Sequence, residues 1–168
     1  MKESSGYSNI HDYYSFGEVL GKGQFGKVKK GLHKKTKLEV AIKQIKKKKI
    51  STTEMEMLRN EIEVLKMCKH PIIVRLYDVF EDRAQIYIVM DLIKGPDLYV
   101  YLKSRKFQLS EQRIKFVHFK ICQAVQYLQK FGVMHRDLKL QNIMMSDDSE
   151  TAEPKLVDFG FAKIIGPG

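Results

Sequence analysis

From Tyr14 the chain alternates apolar and polar positions through Val19 and Leu20. It breaks at a stretch holding Gly21, Gly23 and Gly26, then resumes as a short extended run to Leu32. Alternation on both sides of a glycine-rich break reads as a hairpin with a long turn. Residues 38–45 form the next strand, with Val40 and Ile42 on one face and Ala41, Lys43 and Ile45 on the other. A helix follows. Ser51 and Glu54 stand at capping-box spacing, and Met57, Leu58, Ile62, Val64, Leu65 and Cys68 define its broad apolar face. Glu61 lies inside that face, where a carboxylate is costly unless paired. His70 and Pro71 end the helix. Residues 74–80 and 86–90 read as two more strands, joined by the polar turn at Glu81, Asp82 and Arg83.

The pattern then becomes helical. Residues 97–104 read as a short helix. Residues 110–131 read as a longer one with apolar side chains around most of its circumference, the pattern of a helix buried on nearly every side. The period stops at Gly132, and a new apolar run of Ile143, Met144 and Met145 begins after a loop. Residues 1–12 carry no pattern and are expected to be a loose tail. Five strands with one helix, followed by a helical part, give an α+β chain.

Composition adds little to this picture. The 168 residues are 43% hydrophobic and 30% charged, ordinary for a globular chain long enough for one sizeable core. The longest apolar runs are a handful of residues, so no membrane span is expected, and residues 1–5 lack the apolar segment of a signal peptide. Cys68 and Cys122 fall in apolar helical patterns, where cysteine serves as a small buried hydrophobe. Two such residues suit a reducing compartment, so a cytoplasmic or nuclear location is expected. The formal charge of +10 would suit nucleic acid or acidic membrane lipids. Lys46 to Lys49, however, form one run, and the other cations read as scattered without interleaved aromatics. Neither nucleic acid nor membrane is expected as a partner.

The loop after Gly132 carries the chemistry. It places Asp137, Lys139 and Asn142 close together in sequence, with Asp158 after the next short strand. Two carboxylates and an amide oxygen are hard ligands of the kind Mg²⁺ accepts beside a nucleotide's phosphates. Written out, the stretch is H-R-D-x-K-x-x-N from His135, followed by D-F-G from Asp158. Gly21, Gly23 and Gly26 form G-x-G-x-x-G, and residues 40–43 read V-A-I-K. The glycine pattern alone would equally suit a dinucleotide fingerprint. That needs a helix opening at the glycines, whereas Val28 to Leu32 reads as a returning strand.

Together these motifs resemble the catalytic core of the protein kinases. The resemblance implies a five-stranded antiparallel small lobe with one main helix over residues 13–90, a hinge at 91–95 and the first part of a mainly helical large lobe over 96–168. It also implies ATP and Mg²⁺ as cofactors and a protein Ser/Thr hydroxyl as acceptor, because Lys139 two residues after Asp137 is the serine/threonine version. Asp137 would orient the attacking hydroxyl and accept its proton, and Lys139 would meet the γ-phosphate. Lys43 would hold the α- and β-phosphates with Glu61 as its ion-pair partner. Asn142 and Asp158 would hold Mg²⁺. Gly21, Gly23 and Gly26 would let backbone amides approach phosphate. Adenine would meet the backbone of Asp91 and Ile93, lie among Leu20, Val28, Ala41 and Met144, and have Met90 behind it; Asp97 would reach the ribose. Each of these apolar residues equally suits ordinary core, and only the motif alignment singles them out.

The resemblance runs from about Tyr14 to Lys163. It covers the first part of a domain of roughly 250 residues, the upper end of single-domain size, and the sequence is expected to be truncated after D-F-G. Segments such as His-Pro-Ile-Ile-Val-Arg-Leu-Tyr-Asp and Asp-Phe-Gly-Phe-Ala-Lys are most similar to the calcium/calmodulin-dependent kinase group, including calcium-dependent relatives. Two functions follow from the resemblance: an ATP-dependent serine/threonine kinase, or a truncated kinase-like protein that holds nucleotide or a partner without transferring phosphate. Truncation also implies exposed apolar surface on the helix at 110–131, and association through it.

Overall fold

The computed structural model describes residues 9–23 and 26–166. The chain divides into two compact units, the first built from residues up to Glu56 with Leu76–Leu92, the second from Met57–Arg75 with the residues from Ile93 onward.

In the first unit a short helix α1 (Ile10–Tyr13) leads into strands β1 (Tyr14–Gly23), β2 (Gly26–His33), β3 (Glu39–Lys46), β4 (Leu76–Glu81) and β5 (Gln85–Asp91). They form one antiparallel sheet in the order β1-β2-β3-β5-β4, the five strands that the alternation predicts. Period-two patterning sorts β3. Val40 and Ile42 join Tyr87 and Val89 in a cluster closed by Ile10 and Tyr14. The tail expectation is corrected here: residues 1–8 lie outside the described residues, but Asn9 caps α1 and Ile10 is only 2% exposed. One apolar residue in a polar stretch has no period to read, yet it covers a sheet face.

Helix α2 (Thr52–Met67) carries the expected capping box: Ser51 N–H donates to Glu54 Oε2 at 2.8 Å, and Glu54 N–H to Ser51 Oγ at 3.2 Å. The division between Leu92 and Ile93 falls within the hinge expected at 91–95, whereas Met57–Arg75 belong to the second unit. Hydrogen bonds explain why. Leu156 N–H donates to Ile72 O and Val74 N–H to Leu156 O, while Lys69 N–H donates to the Tyr127 hydroxyl and the Asn60 amide to Ala162 O.

The second unit contains α3 (Leu98–Ser104), α4 (Glu111–Lys130), β6 (Val133–Met134), β7 (Ile143–Met145), β8 (Pro154–Leu156) and β9 (Lys163–Ile164), with β6 paired to β9 and β7 to β8. Asp97 caps α3, accepting from Val100 N–H, and Ser110 caps α4, accepting from Arg113 N–H. On α4, Val117, Ala124 and Leu128 are buried, whereas Ile114, Val125 and Phe119, the last 60% exposed, are not, nor is Phe131 at its C-terminal cap. The helix therefore buries one stripe rather than its whole circumference. Cys122 shares the open side, which corrects its placement as a buried hydrophobe. Cys68 is buried as expected, and burial pushes its thiol up to about 11.

If Ile10 closes the sheet face, Ile10→Ala should lower stability by about 2–4 kcal/mol through lost burial and a residual cavity. Urea titration of the two chains measures this; an unchanged midpoint would show that residues 9–13 contribute nothing to the core.

Candidate active site

The first unit brings several of the singled-out residues onto one sheet face. In the β2–β3 register Val28 stands opposite Lys43, and in the β3–β5 register Ala41 stands opposite Met90. Because Ala41 and Lys43 are two apart, all four share a face. Ala41 is buried and Val28, Lys43 and Met90 are half-buried. Leu20 sits at an irregularity of β1, between the Val19–Lys29 and Gly21–Val28 pairs, and is largely exposed. An extra residue in one strand re-aims its side chain.

The glycines differ in why they are glycine. A Cβ on Gly26 would stand 2.0 Å from Gln44 O, so the neighbouring strand already demands its absence. A Cβ on Gly21 would meet no described atom within 4 Å. Packing gives no reason for glycine there, which leaves room for a group from outside the chain. Gly23 pairs with Gly26 across the turn. Asp91 ends β5 and accepts from the Tyr77 hydroxyl at 2.7 Å.

The second unit assembles the loop. Asp137 is its centre: Lys139 Nζ donates to Asp137 Oδ2 at 2.7 Å, and Asn142 Nδ2 donates to the same oxygen at 2.7 Å and to Asp137 O at 2.9 Å. The Lys139 ammonium beside it, more than any other group, holds the Asp137 carboxyl below the usual carboxylate range, with the Asn142 hydrogen bond helping. Asn142 ends a single 3₁₀ turn and is buried. Its amide nitrogen is committed to Asp137, so its side-chain oxygen is what it can offer a ligand.

Backbone groups join this loop to Asp158. Val157 N–H donates to Asn142 O at 2.9 Å, and the Val157 carbonyl accepts from His135 Nε2 at 3.1 Å. His135 Nδ1 accepts from Asp137 N–H at 3.3 Å. These two bonds define one neutral tautomer, and burial, the largest influence on it, lowers the imidazole pKa from its usual value. The His135 ring also stacks edge-on against the fully buried Phe159 ring at 4.8 Å. Arg136 and Asp158 hold φ of 65° and 59°, left-handed backbone that costs about 1–3 kcal/mol at a non-glycine residue and clusters at functional sites. Arg136 Nε donates to Phe161 O at 2.6 Å, and β6 pairs with β9 beyond it.

Other predicted residues lie apart from this knot. Asp97 pairs through its backbone with Met144, which is half-buried in β7, and Ile93 is half-buried in the segment before α3. Glu61 is 3% exposed on α2 and is not without a partner. The sequence reading missed Val157. Only its peptide group acts, so its side chain carries no signal.

The protein kinase domain model matches residues 14–168, and the chain belongs to that family. It is 34% identical over its whole length to a probable myosin light chain kinase of Dictyostelium discoideum, covering 48% of that protein. It is 40% identical over 149 residues, 89% of the chain, to human serine/threonine-protein kinase D2, of which it covers 17%. It is 39% identical over 157 residues, 93% of the chain, to human NUAK family SNF1-like kinase 1, of which it covers 23%. The chain thus spans half or less of the length of these curated relatives.

The neutral His135 sets a pH dependence. Its folded pKa lies below the ordinary 6.5, so the unfolded chain binds more protons as pH falls through that range. Its contribution is complete above 6.5 and is lost toward the lower folded value. Thermal melts between about pH 5 and 8 should show falling stability on the acid side, with a shallower slope in His135→Gln. The imidazole of His70, also lowered by burial, contributes in the same direction. An unchanged slope in His135→Gln would remove His135 from this account.

Proposed function

We propose that the chain carries ATP-dependent serine/threonine phosphotransfer chemistry, transferring the γ-phosphoryl group of ATP to a protein hydroxyl. The observation that carries the reading is the knot at Asp137, where one carboxylate oxygen receives both the Lys139 ammonium and the Asn142 amide while its neighbours are tied to the segment before Asp158.

Each unit supplies its own share. In the first, Lys43 would meet the α- and β-phosphates, with Val28, Ala41, Leu20 and Met90 against adenine, the backbone of Asp91 on its edge, and the glycines of the β1–β2 turn against phosphate. In the second, Glu61 would offer a carboxylate to a cation, and Ile93, Asp97 and Met144 would meet the nucleoside. Asp137 would act on the acceptor. Its lowered pKa keeps it ionised at neutral pH, so its first task is to align the Ser/Thr hydroxyl. It takes the proton as the oxygen–phosphorus bond forms and ADP leaves. Lys139, 2.7 Å from that carboxylate, places an ammonium where charge gathers on the transferring group.

Asn142 and Asp158 fit a divalent cation by donor chemistry. Among the described residues no cluster of three or more His, Cys, Asp or Glu could enclose a metal, so a site here would use few protein oxygens. Mg²⁺ is bound that way, through one or two protein oxygens with phosphates and water. When bound, Mg²⁺ would neutralise phosphate charge. The segments around His70 and Asp158 also support placement in the calcium/calmodulin-dependent group, and a cytoplasmic location belongs to the same reading.

A second reading is favoured by the open apolar side of α4, with Ile114, Phe119 and Val125 exposed. In that reading the chain holds nucleotide, associates through α4 and transfers nothing.

Thermal melts separate folded nucleotide binding from its absence. Saturating Mg²⁺-ATP should raise the transition by about 5 °C, and Lys43→Met should lose most of the rise; no shift in the parent chain overturns the nucleotide site. In a phosphotransfer assay on a Ser/Thr peptide, Asp158→Asn should lower the rate by roughly 10²-fold or more. Equal rates would sink the transfer mechanism, and brisk turnover by the parent chain would eliminate the second reading.

A further inference from the structure

The lysines that read as scattered are gathered. Residues 22–49 hold twelve lysines against the single acid Glu39, a formal +11 that exceeds the +10 of the whole chain. All of them fall on β1, β2, β3 and their connections, within the first unit.

Strand register shows where they collect. Lys22 stands directly opposite Lys27 beside the β1–β2 turn, and Gly26 stands opposite Ile45, so the end of β3 reaches the same end of the sheet. There the chain continues through Lys46 into the 3₁₀ turn Lys47–Lys49. Lys47 is engaged with Glu81 at 2.7 Å and with Asp82 O, and Lys30 farther along the sheet with Glu39 at 2.5 Å. Lys22, Lys27, Lys46, Lys48 and Lys49 are exposed. Like charges directly opposite across a strand pair cost stability, and Lys22–Lys27 is such a pair. Alternation puts Lys27 and Lys29 on the face opposite Lys43. Lys29 lies 5.7 Å from the Phe16 ring centroid and opposite Val19, which is 50% exposed.

We infer that this end of the sheet is a docking surface for the anionic headgroups of a phospholipid bilayer. Residues 22–49 contain no arginine. Lysine is a compact, strongly hydrated point charge without the fork that reads carboxylate or phosphate bidentately, so an all-lysine surface suits diffuse attraction to many headgroups. The charges also spread along the strands: Lys34, Lys35 and Lys37 extend them to the β2–β3 turn at the far end. An extended anionic plane engages such a spread better than a short acidic peptide. Exposed Val19 offers a shallow apolar contact within it. The proposal reverses the expectation that no membrane serves as a partner; the expectation of no membrane-spanning segment is a separate matter, and among the described residues no helix is long and apolar enough to cross a bilayer. The surface excludes Lys43 and does not depend on the proposed phosphotransfer.

Co-sedimentation of the full chain with vesicles tests this. Phosphatidylcholine vesicles carrying about 30% phosphatidylserine should bind it at least tenfold more strongly than pure phosphatidylcholine vesicles. Raising salt from about 0.1 M to about 1 M should abolish the difference. A variant with Lys27, Lys46, Lys48 and Lys49 each changed to Gln should lose about tenfold or more. A control with Lys103, Lys106, Lys115 and Lys130 each changed to Gln removes equal charge from the second unit and should stay within about twofold of the parent. Matching far-UV spectra and melts establish that both variants fold; Lys48→Gln with Lys49→Gln, a smaller change, should show a partial loss. Equal binding to both vesicle types, or equal losses in the two quadruple variants, would overturn the surface. Release from phosphatidylserine vesicles by equal charge concentrations of duplex DNA or polyglutamate would overturn the lipid assignment.

Discussion

The backbone of Val157 is the joint on which the second unit's chemistry depends. Its N–H is spent on Asn142 and its carbonyl on His135, so the two peptide planes that meet at its Cα connect both ends of the Asp137 loop to the residue before Asp158. Around it the polar groups bond in sequence. His135 accepts from Asp137, and Asp137 accepts from Lys139 and Asn142. Buried polar networks confer rigidity only when every member is satisfied. This one is nearly closed, and its open valences are oxygens, which is what a site for cations and hydroxyl groups requires.

In the first unit a single strand serves two environments. Period-two alternation sends Ala41, Lys43 and Ile45 to one face of β3 and Val40, Ile42, Gln44 and Lys46 to the other. Lys43 is thereby held among apolar neighbours, half-buried, while Lys46 stands in solvent with the lysines of the β1–β2 end. Two residues of identical chemistry, three positions apart, are separated by the pleat onto opposite faces of the sheet, one half-buried and one in solvent. The formal charge of the chain is therefore a poor summary of it, since the lysines of residues 22–49 are clustered while the acids that offset them, Glu39 apart, lie elsewhere in the sequence.

Much of this was legible before any coordinates, where a side chain carried the information. The capping box at Ser51 and Glu54, the alternation of β3, the buried Glu61 and the grouping of Asp137 with Asn142 all follow from residue type and spacing. What escaped depends on properties that residue type does not encode. α1 rests on Ile10 alone, too little for a period. Cys122 was misplaced because α4 has apolar residues all round and nothing in their order says which stripe is covered. The left-handed backbone at Arg136 and Asp158 is imposed by the surrounding bonds, since neither residue favours it as glycine would. The lysines appeared scattered because strand pairing, invisible in a linear reading, is what collects them.

The short sheet of β6 with β9 has a consequence for how the second unit comes apart. It fastens the chain just before His135 to the chain just after Ala162, and Ile165 N–H adds a bond to Gly132 O. The entropy of closing that loop grows only slowly with its length, so a two-residue pair can hold a long excursion. The middle of the loop is held separately, by the bonds of Leu156 to Ile72 and Val74 and of Met145 to Pro96, so loss of the pair alone would free the ends of the loop before its centre.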